Sequence, residues 1–243
     1  MSKRIITIVG ARPQFVKAAA LSKAIASDRG IDETLIHTGQ HFDKNMSEIF
    51  FTELEIPAPK YFLDIHGGTH GQMTGQMIEK IEGVLVKEAP DIVLVYGDTN
   101  STLAGALAAA KLNIPVAHIE AGLRSFNRNM PEEINRVLTD HISTLLFCPT
   151  KESVKNLSNE GITSEIFHVG DVMYDVTLLA KAIVRKKETK LEKTLYFTKR
   201  NFALMTIHRQ ESTANETTFS KIMDFGDEYA KKNNLIIIFP VHP

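Results

Sequence analysis

The chain has 243 residues, with 28 Lys and Arg against 29 Asp and Glu, and a formal charge of −1 leaves no global basic field for nucleic acid or an anionic membrane. Its 43% apolar residues can fill one large or two ordinary domains, while a single cysteine excludes an internal disulfide and fits a reducing compartment. The N-terminal apolar run is too short for a signal peptide, and no stretch approaches the roughly 20 apolar residues of a membrane span, so a cytoplasmic location is expected.

In chain order, short runs rich in Ile and Val alternate with helical patterns, as in parallel strands buried on both faces. Strands are predicted at 4–9, 33–37, 91–96, 115–119, 144–148 and 165–169, and helices at 13–27, 44–54, 71–88, 101–112, 132–142 and 151–160. This repeated strand–helix order predicts a doubly wound α/β domain over residues 1–170. A connector follows at 171–200, with a helix at 174–184 and the charged run RKKETKLEK at 185–193. The α/β rhythm then restarts with a strand at 203–207, a helix at 217–229 and a strand at 235–239. A single βαβ unit, spanning 201–243, is too small to close its own core, so the second domain is expected to be incomplete.

Ligands of doubly wound sheets bind outside the carboxyl ends of the strands. The first strand ends in GARPQFVK (10–17), where Gly10 turns the chain and Pro13 suits a first helical turn. Arg12 and Lys17 beside the free N–H groups of that helix make a seat for phosphate, although the stretch is neither a Walker motif nor GxGxxG. The strand at 91–96 runs into GDTNST (97–102), where Asp98 is either a helix cap or a functional carboxylate. The next strand ends in HIEAGLR, which puts Glu120 in the same layer. Glu132 follows Pro131 at a helix start, where it either complements the helix dipole or faces the same rim.

The stretch 118–136, HIEAGLRSFNRNMPEEINR, thus holds three glutamates and three arginines, which a packed core does not need. Each acid alone has an ordinary structural role, but three delivered to one rim point to a site for a charged substrate. TIHRQES (206–212) places His208 and Arg209 at a strand end of the restarted domain, facing those acids if the two domains enclose a cleft. The pairs His37/His41 and His66/His70 both cross glycine and lack cysteine support, so no metal is expected. Met73 and Met77 are spaced as a helical core stripe, and Cys148, after TLLF, reads as a small residue near a strand end.

Taken together, GARPQFVK, TGQH (38–41), GDTNST, HIEAGLRS, MPEEINR, TIHRQES and the terminal PVHP resemble the non-hydrolysing UDP-N-acetylglucosamine 2-epimerases. The resemblance implies two Rossmann-like domains in the GT-B arrangement, the second truncated to its first βαβ unit, with the site in the cleft and a homodimeric assembly. It implies inversion at C2 of a UDP-sugar by elimination and re-addition of UDP, without a cofactor, in the supply of surface-polysaccharide precursors. By motif, Asp98, Glu120 and Glu132 match the catalytic carboxylates and His208 the histidine that assists the departing UDP. Arg12, Lys17, Gln40, His41, Arg124, Arg209 and His242 fall in the substrate-binding motifs.

Gln14 and Phe42 depart from the commonest family pattern and are closer to relatives acting on UDP-2,3-diacetamido-2,3-dideoxyglucuronate, so both sugars stay open. The Arg that Phe42 replaces lies where relatives bind a second, regulatory UDP-sugar. Without most of its second domain the 243-residue chain is expected to be inactive by itself. Two other classes remain: a nucleotide-sugar-binding fragment without turnover, and a GT-B glycosyltransferase.

Overall fold

The predicted alternation of strand and helix is realised as a parallel sheet whose strands are β1 (Lys3–Val9), β2 (Ile31–His37), β3 (Tyr61–Phe62), β4 (Ile92–Tyr96), β5 (Val116–Ile119), β6 (Leu145–Cys148) and β7 (Ile166–His168). The computed structural model describes residues 2–40, 56–186, 201–207, 210–213 and 215–241. The chain divides into two compact units, Met1–Lys181 and Ala182–Pro243. The helix expected at 44–54 lies outside the described residues.

The strand order is β3-β2-β1-β4-β5-β6-β7, and every neighbouring pair is parallel. The order reverses between β1 and β4, which opens a crevice at their carboxyl ends. Helices α1 (Arg12–Ser27), α2 (His70–Glu88), α3 (Asn100–Lys111), α4 (Pro131–Ile142), α5 (Lys151–Asn159) and α6 (Val172–Lys186) supply the crossovers and lead out of the sheet. Parallel neighbours need such crossovers, because no tight turn can join them.

Side chains alternate along each strand, so the sheet builds a core on each face. Ile6, Ile8, Ile36, Val93 and Val95 pack with Met77, Ile81 and Leu85 of α2 and the alanines of α3. Val9, Leu35, Leu94, Tyr96 and Ala117 pack with Phe15, Ala18, Ala19 and Ile25 of α1. A Cβ at Gly105 would stand 2.7 Å from Ile8 Cδ1, so a side chain at this position of α3 would make the end of Ile8 shift. Met77 is fully buried and Met73 packs beside it, as the helical stripe predicted. Cys148 ends β6 inside the fold, and burial pushes its thiol up to about 11.

Helix starts follow local chemistry. Thr69, Thr99 and Thr150 cap α2, α3 and α5 by accepting N–H bonds from Gln72, Thr102 and Ser153. Pro131 opens α4, where its missing N–H leaves no donor unmet, and two acids follow in the first turn.

In the second unit, β8 (Phe202–Leu204) pairs in parallel with β9 (Ile236–Ile238), joined through α7 (Gln210–Thr213) and α8 (Glu216–Asn233). The expected βαβ unit is present, and α7 is an addition that its four residues made too short to read as a helical period.

Candidate active site

The loops leaving β1, β2, β4 and β5 meet at the carboxyl edge of the sheet. Close packing fixes the first: a Cβ on Gly10 would fall 2.0 Å from Thr38 Oγ1 and 2.2 Å from Ser101 Oγ, so only glycine fits. Gln14, 1% exposed, ties this loop to β4. Its Oε1 accepts from Gly10 N at 2.9 Å and Ala11 N at 3.0 Å, while its Nε2 donates to Tyr96 O at 3.0 Å and Thr102 Oγ1 at 2.9 Å. Arg12 is exposed at the first position of α1. Lys17, one turn deeper, forms an ion pair with Glu120, with both side chains nearly buried.

From β2, Gln40 Oε1 accepts from Ser101 Oγ at 2.8 Å, and the Thr38 and Ser101 hydroxyls lie 2.9 Å apart. These contacts join TGQH to the start of α3. His37 is a packed residue: its ring stacks at 4.9 Å on Phe15, and its Nδ1 accepts from Gly39 N at 2.9 Å.

Asp98 follows Gly97, whose φ of +63° suits glycine. It is not the helix cap. Thr99 takes that role, one residue later, and frees the Asp98 carboxylate. Asp98 Oδ2 accepts from Arg136 Nη2 at 2.6 Å and Nε at 3.0 Å, and its backbone carbonyl accepts from Asn135 Nδ2 at 2.8 Å. On the neighbouring strand, Glu120 has φ +69°, a left-handed conformation costly for a residue with a side chain. That turn aims its carboxylate toward Lys17 over Gly97: a Cβ there would lie 3.3 Å from both Glu120 Oε2 and Lys17 Nζ. Asp98 and Glu120 therefore issue from adjacent strand ends, each beside a cation.

The two glutamates of PEEINR separate. Glu132 is exposed, four residues before Arg136 and so on the same side of α4. Glu133 is 1% exposed and accepts from Ser125 N at 2.9 Å, Phe126 N at 2.9 Å and Arg136 Nη1 at 2.7 Å. Burial alone would push the Glu133 carboxyl up, but these hydrogen bonds outweigh it and hold the group below its ordinary value. For Arg136 burial works against the cation, and the charge of Asp98 and the bond to Glu133 more than restore it.

Arg124 is held inside the fold. Its guanidinium, 1% exposed, donates to Glu160 at 2.7 and 2.8 Å and to Asp140 at 2.7 Å. The residue expected among the substrate contacts is thus engaged by two carboxylates within the fold. Asp140 Oδ1 is 2.7 Å from His118 Nδ1, Oδ2 accepts from Gly122 N at 3.0 Å, and His118 Nε2 donates to Gly97 O at 2.7 Å. Burial would raise the Asp140 carboxyl, yet the charge and bond of His118, followed by those of Arg124, hold it below the usual range. His41, His208, Arg209 and His242 lie outside the described residues.

A cavity of about 700 Å³ opens on the α1 face, walled by Leu21, Ala24, Leu94, Leu145 and Phe147, with Glu120 at its edge. Its wall is almost wholly apolar, in contrast to the polar crevice at the strand ends.

The profile of the UDP-N-acetylglucosamine 2-epimerase family matches residues 23–243. A UDP-N-acetylglucosamine 2-epimerase homolog of Methanococcus maripaludis is 57% identical over 99% of this chain and 66% of its own length. The UDP-2,3-diacetamido-2,3-dideoxy-D-glucuronate 2-epimerase of Pseudomonas aeruginosa is 53% identical over 99% of this chain and 67% of its own. The crystal structure of Methanocaldococcus jannaschii UDP-GlcNAc 2-epimerase, in complex with UDP-GlcNAc and UDP, superposes with a TM-score of 0.88 at 48% identity, covering all of this chain and 66% of that one. The chain thus spans about two thirds of the length of these relatives. With that match running from the C-terminal part of α1 to the last residue, the chain belongs to the UDP-N-acetylglucosamine 2-epimerase family.

Proposed function

We propose that the protein inverts C2 of a UDP-linked N-acetylated hexose by eliminating UDP and adding it back. The observation that carries this reading is the pair of carboxylates, Asp98 and Glu120, set on adjacent strand ends and each beside a cation. The C2 proton is not next to a carbonyl, so cleavage of the C1–O bond must lead, its electrons leaving with UDP. Carboxylates stabilise the positive charge that develops at C1. One of them then accepts the C2 proton, giving a 2-acetamidoglucal. Re-addition delivers a proton to the other face of C2 while the UDP oxygen returns to C1. Two faces need two proton-handling groups, and Glu132, exposed at the start of α4, is the third acid available. Arg12 at the first turn of α1 offsets charge on the departing diphosphate, and by its motif His208 is assigned to the same leaving group.

UDP-N-acetylglucosamine and the diacetamido-glucuronate are both candidate substrates, and the similarity to a named epimerase for each supports keeping both. A cytoplasmic homodimer supplying polysaccharide precursors completes the proposal.

Incubating the complete gene product with each UDP-sugar in deuterated water, without acceptor, tests it. Deuterium is expected at C2 of the epimerised product. Product that keeps all of its original C2 hydrogen would rule out elimination, and sugar transfer only on addition of an acceptor would make the protein a glycosyltransferase.

A further inference from the structure

We propose that Arg136 is the positioning residue for Asp98, spanning Asp98 and Glu133 with one guanidinium so that the catalytic carboxylate is locked in one orientation. The inference rests on the functional reading above. Nε and Nη2 both donate to Asp98 Oδ2, at 3.0 and 2.6 Å, while Nη1 donates to Glu133 Oε2 at 2.7 Å. Among the described residues no bond engages Asp98 Oδ1, which leaves that oxygen to meet the substrate.

Glu133 is the anchor. It is buried, and Ser125 N, Ser125 Oγ and Phe126 N donate to it at 2.9, 3.0 and 2.9 Å, so its carboxylate cannot swing. Arg136, bound to that fixed point, cannot follow Asp98 away. Asn135, the preceding residue of α4, holds the Asp98 backbone carbonyl at 2.8 Å. Two consecutive side chains of one helix therefore grip Asp98 at its main chain and at its carboxylate.

The grip needs arginine. A planar fork with several donors reaches two carboxylates at once, whereas a lysine ammonium is a point charge on a flexible stem. The same fork fixes the direction of the Asp98 carboxylate, as suits a group that meets charge developing at one place in the transition state.

The test compares R136Q, R136K, D98N and the double variants in the complete enzyme, reading kcat, KM, C2 deuterium uptake and UDP affinity. R136Q is expected to lower kcat about a hundredfold, in line with the loss of an acid–base group, with KM and UDP affinity within about threefold. R136K, which keeps the charge but cannot span both acids, should fall about tenfold. Because Arg136 acts through Asp98, D98N/R136Q should be no slower than the slower single variant.

A tenfold loss of UDP affinity with kcat retained would overturn the proposal and make Arg136 a nucleotide contact. Effects of D98N and R136Q that multiply would overturn it too. Thermal unfolding checks that each variant folds, and if R136Q does not, the cycle through R136K is read by the same criteria. Wild-type enzyme inactive on every UDP-sugar would sink the functional reading itself; active wild type with unsplit variants sinks only the role of Arg136.

Discussion

Two arginine–aspartate pairs tie α4 and its preceding loop into the sheet, and they differ in what surrounds them. Arg124–Asp140 is sealed, with side chains 1% and 0% exposed, whereas Arg136–Asp98 sits at the crevice with 16% and 32%. Every oxygen of Asp140 meets a donor inside the protein: His118 on one, Gly122 N and Arg124 on the other. Asp98 has one oxygen clamped and one left over. The same two residue types thus build a sealed strut in one place and a half-open pair in the other, and accessibility is what separates them. Burial removes water as a competitor and makes a missing partner costly, while partial exposure keeps the carboxylate within reach of a ligand.

The comparison breaks first at Asp140. D140A takes one acceptor from Arg124 and the Asp140 acceptor from His118 Nδ1 and Gly122 N in a dry interior, and should lower unfolding stability by about 3–5 kcal/mol. D98N, at the wetter pair, should stay within about 1 kcal/mol of wild type by the same urea titration. Equal midpoints for D140A and wild type would show that the buried pair is no strut. Acid sharpens the same point. A carboxyl held low in the folded state stabilises the fold above its unfolded value, about pH 4, and that contribution disappears as pH falls through the lower folded value. Asp140 and Glu133 are both held low, so wild-type stability should drop below about pH 4, and D140N should lack part of that drop.

Activity should run the other way. E120Q, E132Q and D98N in the complete enzyme should lose about a hundredfold in kcat while remaining folded. Wild-type turnover in any of them would return that acid to a surface or dipole role. R12A should act more weakly and mainly on the ground state, reducing UDP affinity about tenfold, because a diphosphate contact exists before and during reaction. UDP affinity unchanged by calorimetry would remove Arg12 from the diphosphate.

The sheet was legible because β-branched runs buried on both faces look alike wherever they occur, and β1, β2, β4, β5, β6 and β7 fell within two residues of their predicted bounds. β3 was not, since two residues carry no period. At the site, Asp98 and Glu120 could be found from strand ends, but their partners could not. Arg136 is 38 residues from Asp98 and Arg124 is 36 from Glu160, so only the crossovers bring them together. Helix α4 misleads in its own way. It buries Glu133 and Asp140, at 1% each, while Ile134 and Leu138 stand 42% and 46% exposed, so apolar periodicity gives the wrong face. The i,i+3 spacing of Glu133 and Arg136 was the one local signal available, and it does not say that both point inward.

The smallest effect belongs to a third kind of pair. Glu152 and Lys155 on α5 lie 3.3 Å apart with side chains 69% and 65% exposed, in full contact with water and salt. Their attraction is screened, and holding two long side chains together opposes it with lost rotamer freedom. K155A should therefore change stability by no more than about 0.5 kcal/mol, and the electrostatic part of that difference should vanish in 1 M salt. Alanine also favours the helix interior slightly over lysine, a contribution that salt does not screen and that opposes the loss of the pair. A loss comparable to that of D140A would break the comparison. Geometry alone would then predict the strength of an ion pair as well as burial does, and the contrast between Asp140 and Asp98 would lose its physical basis.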